Sequence, residues 1–192
     1  MKFYDVTQEV FSSCVYPGDP SPECERIQDL GKGDDCNLTY LKMCTHNGTH
    51  MDAPCHFIKE GRDIGEIAPE QFMGSCHVLA FEGVLDGQTA RRFMSKHGKK
   101  LLFKGNTEIT EEAASVFADA RLELLGVEGQ TVGTMQSTQK VHKILLAADM
   151  VIVEGLVLNG VEPGEYFLCA MPLKLAGSDG APCRVVLISE EL

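Results

Sequence analysis

Short apolar runs alternate with polar punctuation along this chain, and the alternation predicts its elements. Lys2 to Thr7 alternates enough to open as a strand. Two prolines and a glycine in Tyr16-Pro17-Gly18-Asp19-Pro20 then dictate a turn. Glu23 to Leu30 and Asn37 to Thr45 read as paired strands across Gly31-Lys32-Gly33-Asp34-Asp35, the second leading to His46. Ile64 to Phe72 reads as a loop with one helical turn after Pro69, and Cys76 to Phe81 as an apolar strand. Thr89 to Lys96 predicts a short capped helix and Leu101 to Phe103 a strand. Thr110 then caps a helix whose first turn holds Glu111 and Glu112, where the helix dipole favours acids. Leu122 to Val127 is a further buried strand. Val141, Ile144, Leu145 and Ala148 recur at i, i+3, i+4 and i+7, so Ser137 to Ala148 predicts an amphipathic helix with His142 one residue off its stripe. Met150 to Val153 is an apolar strand ending in Glu154, a charge that must be exposed, paired or bound to metal. Strands near Tyr166 to Leu173 and Arg184 to Ile188 follow, with Gly177-Ser178-Asp179-Gly180 between them as a minor part of a pocket lining.

Composition narrows the class. A chain of 192 residues that is 44% hydrophobic predicts one domain, residues 1–192, with enough apolar material for a proper core. The start lacks the apolar run of an export signal, and no stretch approaches the ~20 apolar residues of a membrane span, so a cytoplasmic protein without membrane partners is expected. The eight cysteines show no C-x-x-C spacing and are expected as reduced thiols. A net charge of -11 argues against nucleic acid, whose phosphates would be repelled.

Chemistry concentrates in Thr45 to Phe57, where three of the six histidines fall within eleven residues. A helix would turn Asp52 away from His46 and His50, whereas on extended chain the even-numbered His46, His50, Asp52 and His56 share one face. A straight strand would spread these four over ~33 Å at ~3.3 Å per residue, so the segment must curl, and Gly48 and Pro54 are where it can. Imidazoles with a carboxylate are borderline ligands of the kind that hold zinc, manganese or iron at catalytic sites with open positions. A Cys55-His56 nucleophile pair is disfavoured because neighbours on extended chain face opposite ways. His77 and His97 lie outside every cluster and read as ordinary.

The stretch His46-Asn47-Gly48-Thr49-His50-Met51-Asp52-Ala53-Pro54-Cys55-His56 resembles, at every fixed position, the His-x-Gly-Thr-His-x-Asp-x-Pro-x-His signature of the cyclase-type metal hydrolases, which include bacterial kynurenine formamidases and isatin hydrolases. Tyr16-Pro17-Gly18-Asp19, Val141-His142 with Glu154-Gly155-Leu156, Pro172-Leu173-Lys174-Leu175 and Gly180-Ala181-Pro182-Cys183-Arg184 extend the resemblance over nearly the whole chain. It implies an α/β fold, a mixed β-sheet rolled toward a barrel with flanking helices of the swivelling β/α/β type. Homodimers or homotetramers with active sites near subunit contacts are implied as well. The resemblance further implies that His46, His50 and Asp52 hold one divalent ion, while Asp52 and Glu154 bridge to a second held also by His142. Zinc is the expected metal, one or two ions per subunit, with manganese as the alternative. His56 would be the general base and then the general acid, and Tyr16 would border the substrate.

The activity so implied is hydrolysis of a small amide by metal-activated water, arylformamidase-like, with N-formylkynurenine as the type substrate. An isatin-like lactam or another small ring is the alternative within enzymes. A non-catalytic metal- or ligand-binding protein on the same scaffold is the alternative outside them, although simple binding has no need of His56. One departure is visible: Gly129-Gln130-Thr131-Val132-Gly133 stands where the formamidases tend to have Thr-Pro-Ser-Val-Asp, which leaves the particular substrate open. Glu154 favours a two-ion site over the single manganese of isatin hydrolase.

Overall fold

The computed structural model describes residues 1–134 and 136–189. In chain order the strands and α-helices are β1 (Lys2–Asp5), β2 (Glu23–Gln28), β3 (Leu38–Lys42), β4 (His50–Asp52), α1 (Pro69–Phe72), β5 (Met73–Ala80), β6 (Gly83–Leu85), α2 (Gly87–Met94), β7 (Lys100–Lys104), β8 (Thr107–Ile109), α3 (Glu111–Asp119), β9 (Leu124–Val127), α4 (Thr138–Ala147), β10 (Val151–Glu154), β11 (Gly164–Pro172) and β12 (Gly180–Ser189). The main sheet runs β1-β12-β11-β5-β7-β9-β10-β4, and β4 also pairs with β12. Seven strands therefore close on themselves as a barrel. Along its outer edge β12 gives Gly180 to Pro182 to β4 and Val186 to Ser189 to β1. Pairings β5–β7, β7–β9 and β9–β10 are parallel, while β11–β12, β11–β5, β10–β4 and β12–β4 are antiparallel, the mixed rolled sheet that the family resemblance implied.

Parallel neighbours need crossovers, and α2, α3 and α4 supply them on the outside of the barrel. The apolar strands are thus buried on both faces. Leu102, Leu124, Val151 and Val153 point into the barrel with Met51, Val185 and Leu187. Their alternating neighbours Leu101, Phe103, Leu125 and Ile152 face the helices and meet Ala113, Phe117, Val141 and Leu145. Thr110 caps α3 as expected, its hydroxyl accepting from Ala113 N–H at 3.1 Å.

Two local readings shift, and one pair of strands is added. The helix expected from Thr89 starts at Gly87, because Asp86 is the residue whose carboxylate accepts the Thr89 N–H, at 2.8 Å. In α4 the buried face is Val141, His142, Leu145 and Leu146; Ile144 is only partly buried, so the true stripe is rotated to include the histidine. Strands β6 and β8 form a separate parallel pair, each too short for a period to register in sequence. Among the described residues no helix is long and apolar enough to cross a membrane, and all eight cysteines are unpaired.

Candidate metal centre

Alternation places the ligand-type residues. In β4 Met51 points into the barrel, so His50 and Asp52 point out of it; in β10 Val153 points in and Glu154 out. Register sets Glu154 directly across from His50 and Ile152 across from Asp52. Helix α4 lies over this outer patch and lowers His142 onto it, and all four residues are at most 3% exposed. The preceding turn is pinned before it reaches β4: Asn47 Oδ1 accepts the Cys44 N–H at 2.8 Å, and the Thr49 hydroxyl donates to the Gly155 carbonyl at 2.6 Å. Gly48 makes that turn with φ of 65°. Gly155 (φ of 70°) lies so close that a Cβ there would sit 2.5 Å from the Gly48 carbonyl oxygen.

Second partners fix which imidazole nitrogen faces the centre. His50 Nδ1 lies 3.0 Å from the Gly48 carbonyl, and His142 Nδ1 lies 2.8 Å from the Thr138 carbonyl. Each Nδ1–H is therefore donated away, and both Nε2 atoms turn inward. His50 Nε2 sits 3.4 Å from Asp52 Oδ1 and 3.4 Å from Glu154 Oε2; His142 Nε2 sits 3.3 Å from Asp52 Oδ2 and 3.2 Å from Glu154 Oε1. These separations are long for hydrogen bonds. They match the ~3.3–3.5 Å between donor atoms held about 2.0–2.1 Å from one ion at tetrahedral angles. Asp52 Oδ2 is buried with no hydrogen-bond partner among the described residues. Lone pairs facing lone pairs around an orphaned carboxylate oxygen call for positive charge between them, and the donor set fits a divalent transition ion.

Protons are the only other source of that charge. Burial alone would lower the His50 and His142 values, but the close approach of the Asp52 and Glu154 carboxylates holds His50 well above the ordinary range and raises His142 to about 10. For Asp52 burial acts upward, and the imidazoles of His142, His46 and His50 outweigh it and hold the acid well below the usual carboxylate range.

His46 and His56 form a neighbouring group. His46 Nδ1 contacts Asp52 Oδ1 at 2.9 Å, so Asp52 stands between both clusters. His46 Nε2 lies 3.0 Å and His56 Nδ1 3.3 Å from Asp179 Oδ2, and the two rings stack with centroids 4.2 Å apart. His46, Asp52 and His56 could also hold an ion, as could His50, Asp52 and Glu154. His56 Nε2 takes no hydrogen bond among the described residues. Burial, with repulsion from His46 and His142, pushes the His56 imidazole below its ordinary value, so it is neutral at pH 7. Cys55 turns away, its thiol directed at the Ser178 carbonyl at 3.5 Å, and burial and Asp179 push its pKa up, which leaves it a poor nucleophile.

A cavity of about 390 Å³ opens over these groups and is lined also by Tyr16, Phe57, Gln130, Thr131 and Thr138. All six expected site residues, His46, His50, Asp52, His56, His142 and Glu154, meet here, and Tyr16 borders the same cavity. Asp179 takes a larger part than the sequence suggested. Nothing in a Gly-Ser-Asp-Gly loop announces contact with histidines 133 and 123 residues away. Its neighbour Gly180 carries the signal: a Cβ there would come 2.7 Å from the Met51 carbonyl and 2.9 Å from His46 Cε1.

Comparison with known proteins agrees with this architecture. Residues 4–101 match the family model described as "Putative cyclase". A kynurenine formamidase of Salinibacter ruber is 32% identical, with 97% of this chain and 97% of that protein covered. A solved structure described as a potential metal-dependent hydrolase with cyclase activity superposes with a TM-score of 0.86 at 29% identity, covering 100% of this chain and 99% of that one. Isatin hydrolase A from Labrenzia aggregata, bound to benzyl benzoate, shares the fold at a TM-score of 0.82 and 22% identity, covering 98% of this chain and 94% of that one.

Proposed function

This chain belongs to the cyclase family, and from that premise we propose that it is a metal-dependent hydrolase of a small amide, arylformamidase-like, with N-formylkynurenine as the type substrate. The observation that carries the reading is the convergence of two inward Nε2 atoms on the Asp52 and Glu154 oxygens, one of them orphaned. The resemblance divides these ligands as His46, His50 and Asp52 for one ion and Asp52, Glu154 and His142 for a second. Because His50 and His142 both face Asp52 and Glu154 at 3.2–3.4 Å, these four would instead hold one divalent ion, with His46 joining through Asp52 where a second ion binds. Zinc suits the donors, with manganese as the alternative. When bound, such an ion polarises a carbonyl oxygen and acidifies water at neutral pH.

The remaining steps belong to side chains. Asp179 takes the Nδ1–H of His56 and so leaves Nε2 free toward the cavity as base. His56 then removes the proton from the attacking water and returns it to the departing nitrogen, which could not leave unprotonated. Tyr16 and Phe57 supply walls for an aryl ring. His56→Ala is expected to keep its metal and lose ~10²–10⁴ in kcat, the range of a positioned proton-transfer group. Metal content of the purified variant together with formamide turnover decides this, and loss of the ion would make His56 a ligand instead of the base. Assay of chelated protein reloaded with zinc and then manganese, on aryl formamides and on isatin-like lactams, separates the two substrate readings. Gln130 and Thr131 in the cavity wall, where the chain departs from the formamidases, keep the lactam in contention.

The unpaired cysteines suit a cytoplasmic protein. A homodimer or homotetramer is proposed as well. It is supported by the β2–β3 hairpin, exposed on both faces beside the turn that carries Tyr16.

A further inference from the structure

We infer that Thr131 is a specificity residue of this site, its hydroxyl donating a hydrogen bond to a second carbonyl of the substrate, beside the scissile amide; this rests on the amide-hydrolase reading above. Thr131 and Thr138 both line the cavity, and their hydroxyl oxygens lie 2.5 Å apart. Thr138 Oγ1 is also 3.1 Å from His142 Nδ1. That nitrogen must carry a hydrogen, because the Thr138 carbonyl 2.8 Å away can only accept one. The Thr138 hydroxyl therefore accepts from the imidazole as well, and its own hydrogen is turned toward Thr131. This direction holds whatever occupies Nε2 on the other side of the ring.

Two hydroxyls hold two hydrogens, and only one fits between their oxygens. The other, on Thr131, reaches among the described residues only the Val132 carbonyl, at 3.4 Å, well beyond the usual O–H···O separation of about 2.7–2.8 Å. The pair thus has one donor too many, and the cavity is where it can be used. Its position is fixed by the ligands themselves. The Val132 N–H, next along the chain from Thr131, donates to Glu154 Oε1 at 2.7 Å, and Thr138 stands one helical turn before His142 on α4. The surplus hydrogen therefore lies beside the centre, within reach of a group that flanks the reacting amide.

A second observation says what it would meet. Asp19, Glu154 and Asp179 share the lining, and ionised carboxylates offer nothing to a carbonyl oxygen. A substrate oxygen beside the amide recovers from Thr131 the hydrogen bond it gives up on leaving water, whereas a hydrocarbon there would cover the hydroxyl and leave its hydrogen unmet. Both substrates considered above carry such an oxygen. In N-formylkynurenine it is the ketone ortho to the formamide, and in isatin the ketone adjoining the lactam carbonyl, so the inference holds for either.

The metal-loaded, full-length enzyme tests this on 2-acetylformanilide and 4-acetylformanilide, which share the activating ketone and differ in where it stands. Thr131→Val should lower the ortho-to-para ratio of kcat/KM by about 3- to 10-fold, the range of one neutral hydrogen bond, and Thr131→Ser should restore it. A role confined to packing would slow both isomers alike and leave the ratio in place. Should T131V fail to fold, the native enzyme decides on the 2- and 4-isopropenyl formanilides, in which a methylene replaces the ketone oxygen. Their ortho-to-para ratio should fall below that of the acetyl pair by the same factor. A ratio unmoved by T131V, or equal ratios for the acetyl and isopropenyl pairs, overturns the inference alone. No hydrolysis of any of these formamides overturns the amide-hydrolase reading, and the inference with it.

Discussion

At the scale of single residues the centre is a balance of opposing charges with almost no water to moderate it. Two carboxylates and two imidazoles are each at most 3% exposed, and each carboxylate oxygen lies 3.2–3.4 Å from an imidazole nitrogen. Without an ion, protons must supply the positive charge. Burial pulls the His142 value down, but Asp52 and Glu154 carry it to about 10, above the ordinary 6.5. Because the folded value is raised, the stabilisation is complete below about pH 6.5 and is lost as pH climbs through about 10. Chelated protein should therefore show a thermal midpoint that declines from pH 7 to pH 10. His142→Gln should flatten that decline, and zinc, which needs the imidazole deprotonated, should abolish it in the native chain. A slope identical in native and H142Q protein would refute this account of the cluster.

The elements explain why four residues from distant parts of the chain meet. Parity in β4 and β10 turns His50, Asp52 and Glu154 outward together, and α4 roofs them because Val141, Leu145 and Leu146 are buried against the helix-side core. Leu145→Ala should cost about 2–5 kcal/mol in urea unfolding, as full truncation of a buried leucine does. It should also weaken metal affinity, since α4 carries His142. Ile144→Ala, on the partly exposed flank of the same helix, should cost distinctly less, and equal losses would mean that the buried face has been misassigned. Much of this was legible in sequence. The even spacing told of one face for His50 and Asp52, whereas His46 lies in the turn before β4 and His56 in the 3₁₀ turn Pro54–His56, so those two reach the centre through the expected curl and not through strand parity. Thr110 with its two glutamates told of the start of α3. Less legible was anything set by long-range packing. The α4 stripe was read one position off because His142 is buried by partners that periodicity cannot see. Strands β6 and β8 are three residues each. Asp179 joins its histidines only because β12 brings its loop back across the barrel.

On the scale of the whole molecule the barrel is closed while one part projects from it. The β2–β3 hairpin leaves Ile27 at 51%, Leu30 at 58%, Tyr40 at 57% and Leu41 at 48% exposed. A lone two-stranded ribbon is marginal in water, so this one should be stabilised by a second copy of the chain. Light scattering should report a dimer or tetramer, and Tyr40→Glu combined with Leu41→Glu should shift it toward monomer. A native protein that stays monomeric at high concentration would rule this out.

The three-residue β4 has an uncommon double employment: it donates His50 and Asp52 to the centre and bonds to both β10 and β12. Reactivity and architecture thus share one short stave, like a keystone that is also the latch. A substitution at the rim of the cavity alters only what the site meets, whereas one in the stave itself disturbs the site and the closure of the cask together.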